Sequence, residues 1–123
     1  MSPARMDRVE SGMRAAVEYI TALNNQDIIR MLQVVSEDCI ADEANENIYK
    51  GKTDIEKMVR KDIEEHAKMH RDVEEFIGFG NRCIMRWKCM WVDTDGQERS
   101  QRGVDIIKTK DGLICEKLSY VKD

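Results

Sequence analysis

A chain of 123 residues with seven glycines and one proline is one domain by length, 1–123, and large enough to bury a core of its own. Hydrophobic residues at 41% and charged residues at 36% exclude low complexity and disorder. The net charge of −4, with Lys and Arg scattered rather than gathered into a stripe, argues against nucleic acid as a partner. Met1 to Arg5 leads straight into a polar helix with no apolar run of membrane-spanning length, so no membrane partner and a cytoplasmic location are expected. Cys39, Cys83, Cys89 and Cys115 show no Cys-x-x-Cys spacing and read as buried reduced thiols.

From Asp7 to Leu23, Val9, Met13, Ala16, Val17, Ile20 and Leu23 recur at helical spacing and predict a long first helix with one apolar stripe. Tyr19 falls on the edge of that stripe, either with its hydroxyl at the end of a cavity or as a boundary tyrosine meeting water. Asn24 to Asp27 breaks the pattern, because Asn and Asp favour caps and turns. A second helix follows, with Ile28, Met31, Leu32 and Val35 on its apolar face, and Ser36-Glu37-Asp38 ends it. Cys39 to Ala44 reads as a short strand with Cys39, Ala41 and Glu43 on one side. Asn45 to Lys52 is a polar connector.

Thr53 and Glu56 have the spacing of a capping box, which predicts a third helix from Thr53 with Ile55, Val59, Ile63 and His66 on its inner stripe. Asp62, His66 and His70 could form a column on that helix, but the pattern lacks the further ligands of a metal centre, and no metal is expected. Val73, Glu75, Ile77 and Phe79 share one face of a strand that precedes the main hairpin. In that hairpin Cys83, Met85, Trp87, Cys89 and Trp91 alternate with Ile84, Arg86, Lys88, Met90 and Val92, a period of two. Asp93 to Gly96 supplies the turn, and the return strand to Thr109 sets Asp105 among residues that want burial. Met85, Trp87 and Trp91 are either cavity wall or an intersubunit face. After a turn at Lys110-Asp111-Gly112, the last strand runs from Leu113 to Val121 with Ile114, Leu118 and Tyr120 on one face.

This order of elements, together with Val17 to Asn24 followed by Asp27-Ile28, Tyr49-Lys50-Gly51 ahead of helix three, and Gly103-Val104-Asp105-Ile106 followed by Asp111-Gly112-Leu113-Ile114, resembles the SnoaL-like and ketosteroid-isomerase-like domains of the nuclear-transport-factor-2-like (NTF2-like) superfamily. The resemblance implies an α+β fold, a cone-shaped curved antiparallel sheet wrapped by three N-terminal helices, usually in a homodimer through the sheet face. It places Tyr19 on the oxyanion-donating tyrosine, Glu43 on the proton-shuttling acid and Asp105 on the protonated acid that also donates to the oxyanion. Glu43 is one methylene longer than that acid and is followed by Ala44 instead of proline. Asp105 could equally pair with Arg102 or a helix residue.

The expected activity is cofactor-independent proton transfer, of isomerase, cyclase or dehydratase type, on a small apolar carbonyl-bearing molecule. His66, Met85, Trp87 and Trp91 would bind the substrate. A non-catalytic ligand-binding or assembly domain is the alternative. An epoxide hydrolase is less favoured, because no Arg-x-Asp accompanies Asp105 on its strand.

Overall fold

The computed structural model describes the backbone of residues 3–122 and the side chains of residues 10–122, so the side chain of Val9 lies outside the described residues. Helix α1 (Pro3–Asn24) and the short α2 (Ile28–Gln33) precede β1 (Val35–Asp42) and β2 (Ile48–Lys50). Helix α3 (Lys52–Glu65) leads into β3 (Ala67–Phe79), β4 (Arg82–Val92), β5 (Glu98–Lys110) and β6 (Leu113–Lys122). The strands form one curved, unclosed sheet in the order β2-β1-β6-β5-β4-β3, with the helices covering its inner face. This is the expected α+β cone. Two details differ: β1 runs parallel to β6, and the connector after Ala44 contributes β2 at the sheet edge. No helix among the described residues is long and apolar enough to cross a membrane.

The stripe of α1 that meets the sheet is Ala15, Ala16, Tyr19, Ile20, Ala22 and Leu23. A helical period carries Ala16 onto Tyr19, Ile20 and Leu23 and rotates Val17 outward, where it is 50% exposed. Tyr19 therefore sits inside the stripe and not at its edge. Asp27 caps α2 as expected, its carboxylate accepting from the Arg30 amide at 3.0 Å. The helix ends earlier than expected. Val34 and Val35 are β-branched, and the Val34 carbonyl accepts from the Ile114 amide at 2.8 Å, which draws the chain into the sheet from Val35.

The capping box is not formed: α3 starts at Lys52 behind Gly51, with no side-chain cap hydrogen bond. It stops at Glu65, so His70 lies on β3 and not in a column with Asp62 and His66. Among the described residues no group of metal-ligating side chains is assembled.

On β4 the alternation is as expected, with Cys83, Met85, Trp87 and Cys89 buried. The turn after it is held by the Asp93 carboxylate, which accepts from the amides of Asp95 and Gln97, both at 2.9 Å, and Gly96 takes φ +78°. On β3, Val73, Ile77 and Phe79 are exposed, because a bulge between Val73 and Glu75 breaks the alternation and β3 is an edge strand.

The last strand departs most. Lys110 pairs with Leu113 and Thr109 with Ile114, but Lys108 pairs with Glu116, so Cys115 is an extra residue. Beyond that bulge Lys117 and Ser119 turn inward, while Tyr120 is 59% exposed. Opposite this strand, the Trp87 indole lies over Gly103, where a Cβ would stand 2.5 Å from Trp87 Cζ2 and 2.5 Å from the Tyr120 carbonyl oxygen. Gly103→Ala should therefore destabilise the fold by about 1–3 kcal/mol through overpacking, read as a lower urea midpoint with an unchanged slope.

Candidate functional site

A cavity of about 430 Å³ opens between the inner face of the sheet, α1 and α3. Trp87 and Trp91 form part of its apolar wall without filling it. His66, the residue after α3, also lines it, its ring edge-on to Trp91 with centroids 5.1 Å apart. Met85 does not: it is fully buried in the core behind the cavity. His70 is exposed and contacts Asp72 at 3.0 Å, away from the cavity.

Tyr19, Glu43 and Asp105 converge on the cavity from α1, the end of β1 and β5, and at their centre is a residue the sequence reading missed. Lys117 of β6 donates from Nζ to Glu43 Oε1 at 2.8 Å, Glu43 Oε2 at 3.1 Å and Ser119 Oγ at 2.9 Å. The same ammonium lies 4.0 Å from Asp105 Oδ2 and 6.0 Å from the centroid of the Tyr19 ring. Arg102, the partner considered for Asp105, points to the other face and contacts Glu74 at 3.2 Å. Asp105 Oδ1 and Trp87 Nε1 are buried without a hydrogen-bond partner.

Burial opposes the charge on Lys117, but the carboxylates of Asp105 and Glu43 outweigh it and hold its pKa above the ordinary lysine range. Burial likewise disfavours charge on Glu43, yet the attraction and hydrogen bonds of Lys117, with Ser119 and Arg71, hold its carboxyl below the ordinary glutamate range. Tyr19 is pushed up to about 12, chiefly by burial, so its phenol stays protonated at neutral pH. No described protein group takes a hydrogen bond from the Tyr19 hydroxyl. The cavity is thus lined by a protonated phenol and an ammonium, with two carboxylates around the ammonium.

Two further residues that the sequence does not place in a cavity line it. Arg71 of β3 is paired across the ladder with inward-facing Cys89, and its backbone is clamped by the Asn24 side-chain amide through bonds of 2.8 and 3.0 Å. Asp62 of α3 lies across from it. Simple alternation hides Lys117 in the sequence: unbroken pairing from the turn sets Leu118 opposite Asp105, whereas the extra Cys115 sets Ser119 there.

Lys117→Met would leave two buried carboxylates without their cation, and the expected loss is about 3–5 kcal/mol at pH 7. In the wild type, Glu43 has a depressed folded-state pKa. Its contribution is therefore complete above the ordinary glutamate value and is lost as pH falls through the lower folded value. Urea denaturation of both proteins from pH 7 to pH 3 should show the gap narrowing as pH falls below the ordinary glutamate value.

The SnoaL-like domain family matches residues 16–117. No curated protein matches the chain significantly. Among solved structures, an NTF2-like protein of unknown function from Mesorhizobium loti is 22% identical, with a TM-score of 0.79 and 94% of each chain covered. TerC co-crystallised with polyporic acid is 14% identical, with a TM-score of 0.84, covering 91% of this chain and 92% of that one. An epoxide hydrolase of M. tuberculosis described as LEH-like is 12% identical, with a TM-score of 0.81, covering 93% of this chain and 84% of the other. At these identities the structures share the fold, and the family match together with the cone and its cavity establishes that the chain belongs to the SnoaL-like domain family.

Proposed function

We propose that the protein is a cofactor-independent enzyme that moves a proton beside a carbonyl group of a small molecule held in the cavity. One observation carries the reading: Tyr19, whose hydroxyl bonds to no described protein group, and the Lys117 ammonium, 6.0 Å from the centre of the Tyr19 ring, line the same open cavity. Both groups donate hydrogen bonds, and both keep their protons at neutral pH. A carbonyl oxygen resting on them gains most when it becomes an enolate oxygen, so the interaction lowers the barrier rather than merely holding the substrate. Trp87, Trp91 and His66 would bind the apolar remainder of the substrate.

The geometry supports a different division of labour from that of the resemblance. Glu43 is bonded through both oxygens to Lys117, and Asp105 sits beside an ammonium instead of in a wholly apolar pocket. Their part is to keep Lys117 charged and in place. Structural neighbours described as an epoxide hydrolase and as co-crystallised with polyporic acid are in keeping with a cavity for small organic molecules. A purely binding or scaffolding role is the alternative, and turnover separates the two.

The same reading includes a cytoplasmic homodimer formed through the outer sheet face. Ile77, Ile84, Ile106 and Leu118 face one another in one register row across β3, β4, β5 and β6, an aliphatic ladder turned to solvent. Such a face covers itself well when two copies pack on it. Ile84→Glu should convert a dimer to a monomer in light scattering; a wild type that is already monomeric removes this part of the proposal. For the chemistry, cyclohex-3-en-1-one is a suitable probe, since its conversion to the conjugated enone is followed by absorbance. Tyr19→Phe should lower kcat by about 100-fold or more with KM little changed, and a variant as fast as wild type would overturn the role of Tyr19.

A further inference from the structure

Four carboxyl groups reach the cavity: Glu43, Asp105, Asp62 and Glu65. Glu43 and Asp105 are committed to Lys117, and Glu65 at the rim lies 3.8 Å from Lys61. Of these four, the Asp62 carboxylate alone has neither a hydrogen bond nor an ion pair with a described residue. It is half-buried, and the last turn of α3 holds it firmly. The Asp62 carbonyl accepts from the His66 amide at 3.0 Å and from His66 Nδ1 at 2.9 Å, while the His66 ring is braced on Trp91. We propose that Asp62 is the group that takes and returns the proton in this cavity. This rests on the proton-transfer reading above and assigns its missing base.

The charged and titratable groups around Asp62 are consistent with that task. Arg71 faces it from β3, His66 from the end of its own helix, Glu43 from the end of β1 and Lys117 from β6. Burial is the largest influence and lifts the Asp62 carboxyl above its ordinary value, with Arg71 and His66 opposing. Glu43 moves the other way, in keeping with a carboxylate that stays ionised against Lys117 while Asp62 is left to exchange the proton. In the step itself, the Asp62 carboxylate takes a proton from carbon beside the carbonyl. The C–H electron pair becomes the enolate double bond, and the carbonyl π pair moves onto the oxygen held by Tyr19 and Lys117. The Asp62 acid then returns the proton to the distal carbon of the dienolate, re-forming the carbonyl, with no other reactant consumed.

The test compares Asp62→Asn, Asp62→Glu and Glu43→Gln with the whole wild-type protein, using cyclohex-3-en-1-one for turnover and 2-naphthol, an enol mimic, for binding by fluorescence. Asp62→Asn should lower kcat by about 100-fold or more while binding 2-naphthol as wild type does, and Asp62→Glu should restore part of the rate. The wild-type kcat/KM should rise with pH through a value above that of an ordinary aspartate, and the Asn variant should lack that limb. Near-wild-type turnover by Asp62→Asn overturns the proposal. A wild type that binds 2-naphthol but does not isomerise the ketone also overturns it. A protein that neither binds nor turns over removes the proton-transfer reading itself, and the assignment of Asp62 with it.

Discussion

The ammonium of Lys117 is the constraint around which the cavity end of the fold is arranged. A lysine taken out of water is costly unless its charge is matched and its donors are used. Here β1 supplies Glu43, β5 supplies Asp105 and β6 supplies Ser119, so three strands must keep their relative positions for the charge to be tolerated. The parallel pairing of β1 with β6 follows the same geometry, because Ala41 sits opposite Lys117 and carries the chain on to Glu43. The proposed chemistry and the architecture therefore share one group, and a change there would disturb both.

The position of that group depends on a single inserted residue. Cys115 shifts β6 by one place against β5, and the shift exchanges the faces of everything beyond it. Strands without such a break were readable. On β4 and β5 the period of two predicts the buried Cys83, Met85, Trp87, Cys89 and Asp105, and all are found inside. On β6 the same rule put Leu118 and Tyr120 inside, and the bulge reverses it. Nothing in the composition of Leu113 to Val121 marks the bulge, which satisfies the pairing of two strands at once and so is a tertiary event.

The candidate site was legible to the same degree. Tyr19 and Asp105 stand out because a phenol and an acid occur among residues that want burial, and the family resemblance gave each a position. Lys117 and Arg71 carry no mark of burial in the sequence, and Asp62 reads only as part of a possible column with His66 and His70. Arg71 is drawn inward because the Asn24 side chain pairs with its backbone as another strand would. Asp62 is one turn from the end of α3, and the helix begins at Lys52, ahead of the expected Thr53. Side chains of this kind become visible only when the helix and the sheet face one another across a cavity.

A buried ammonium alters what the site asks of its ligand. A neutral acid donates one hydrogen bond and adds no charge, whereas Lys117 brings a full positive charge already shared between two carboxylates. An uncharged carbonyl competes poorly with Glu43 for those N–H groups. An oxygen that acquires negative charge competes well, because in a dry site each such interaction is stronger than in water. In the proposed reaction the pull of Lys117 on the substrate grows along the reaction coordinate, and Tyr19, kept protonated by its burial, strengthens in the same direction. In that proposal the carboxylates that occupy the cation in the resting cavity make its response selective for the charged, enolate form.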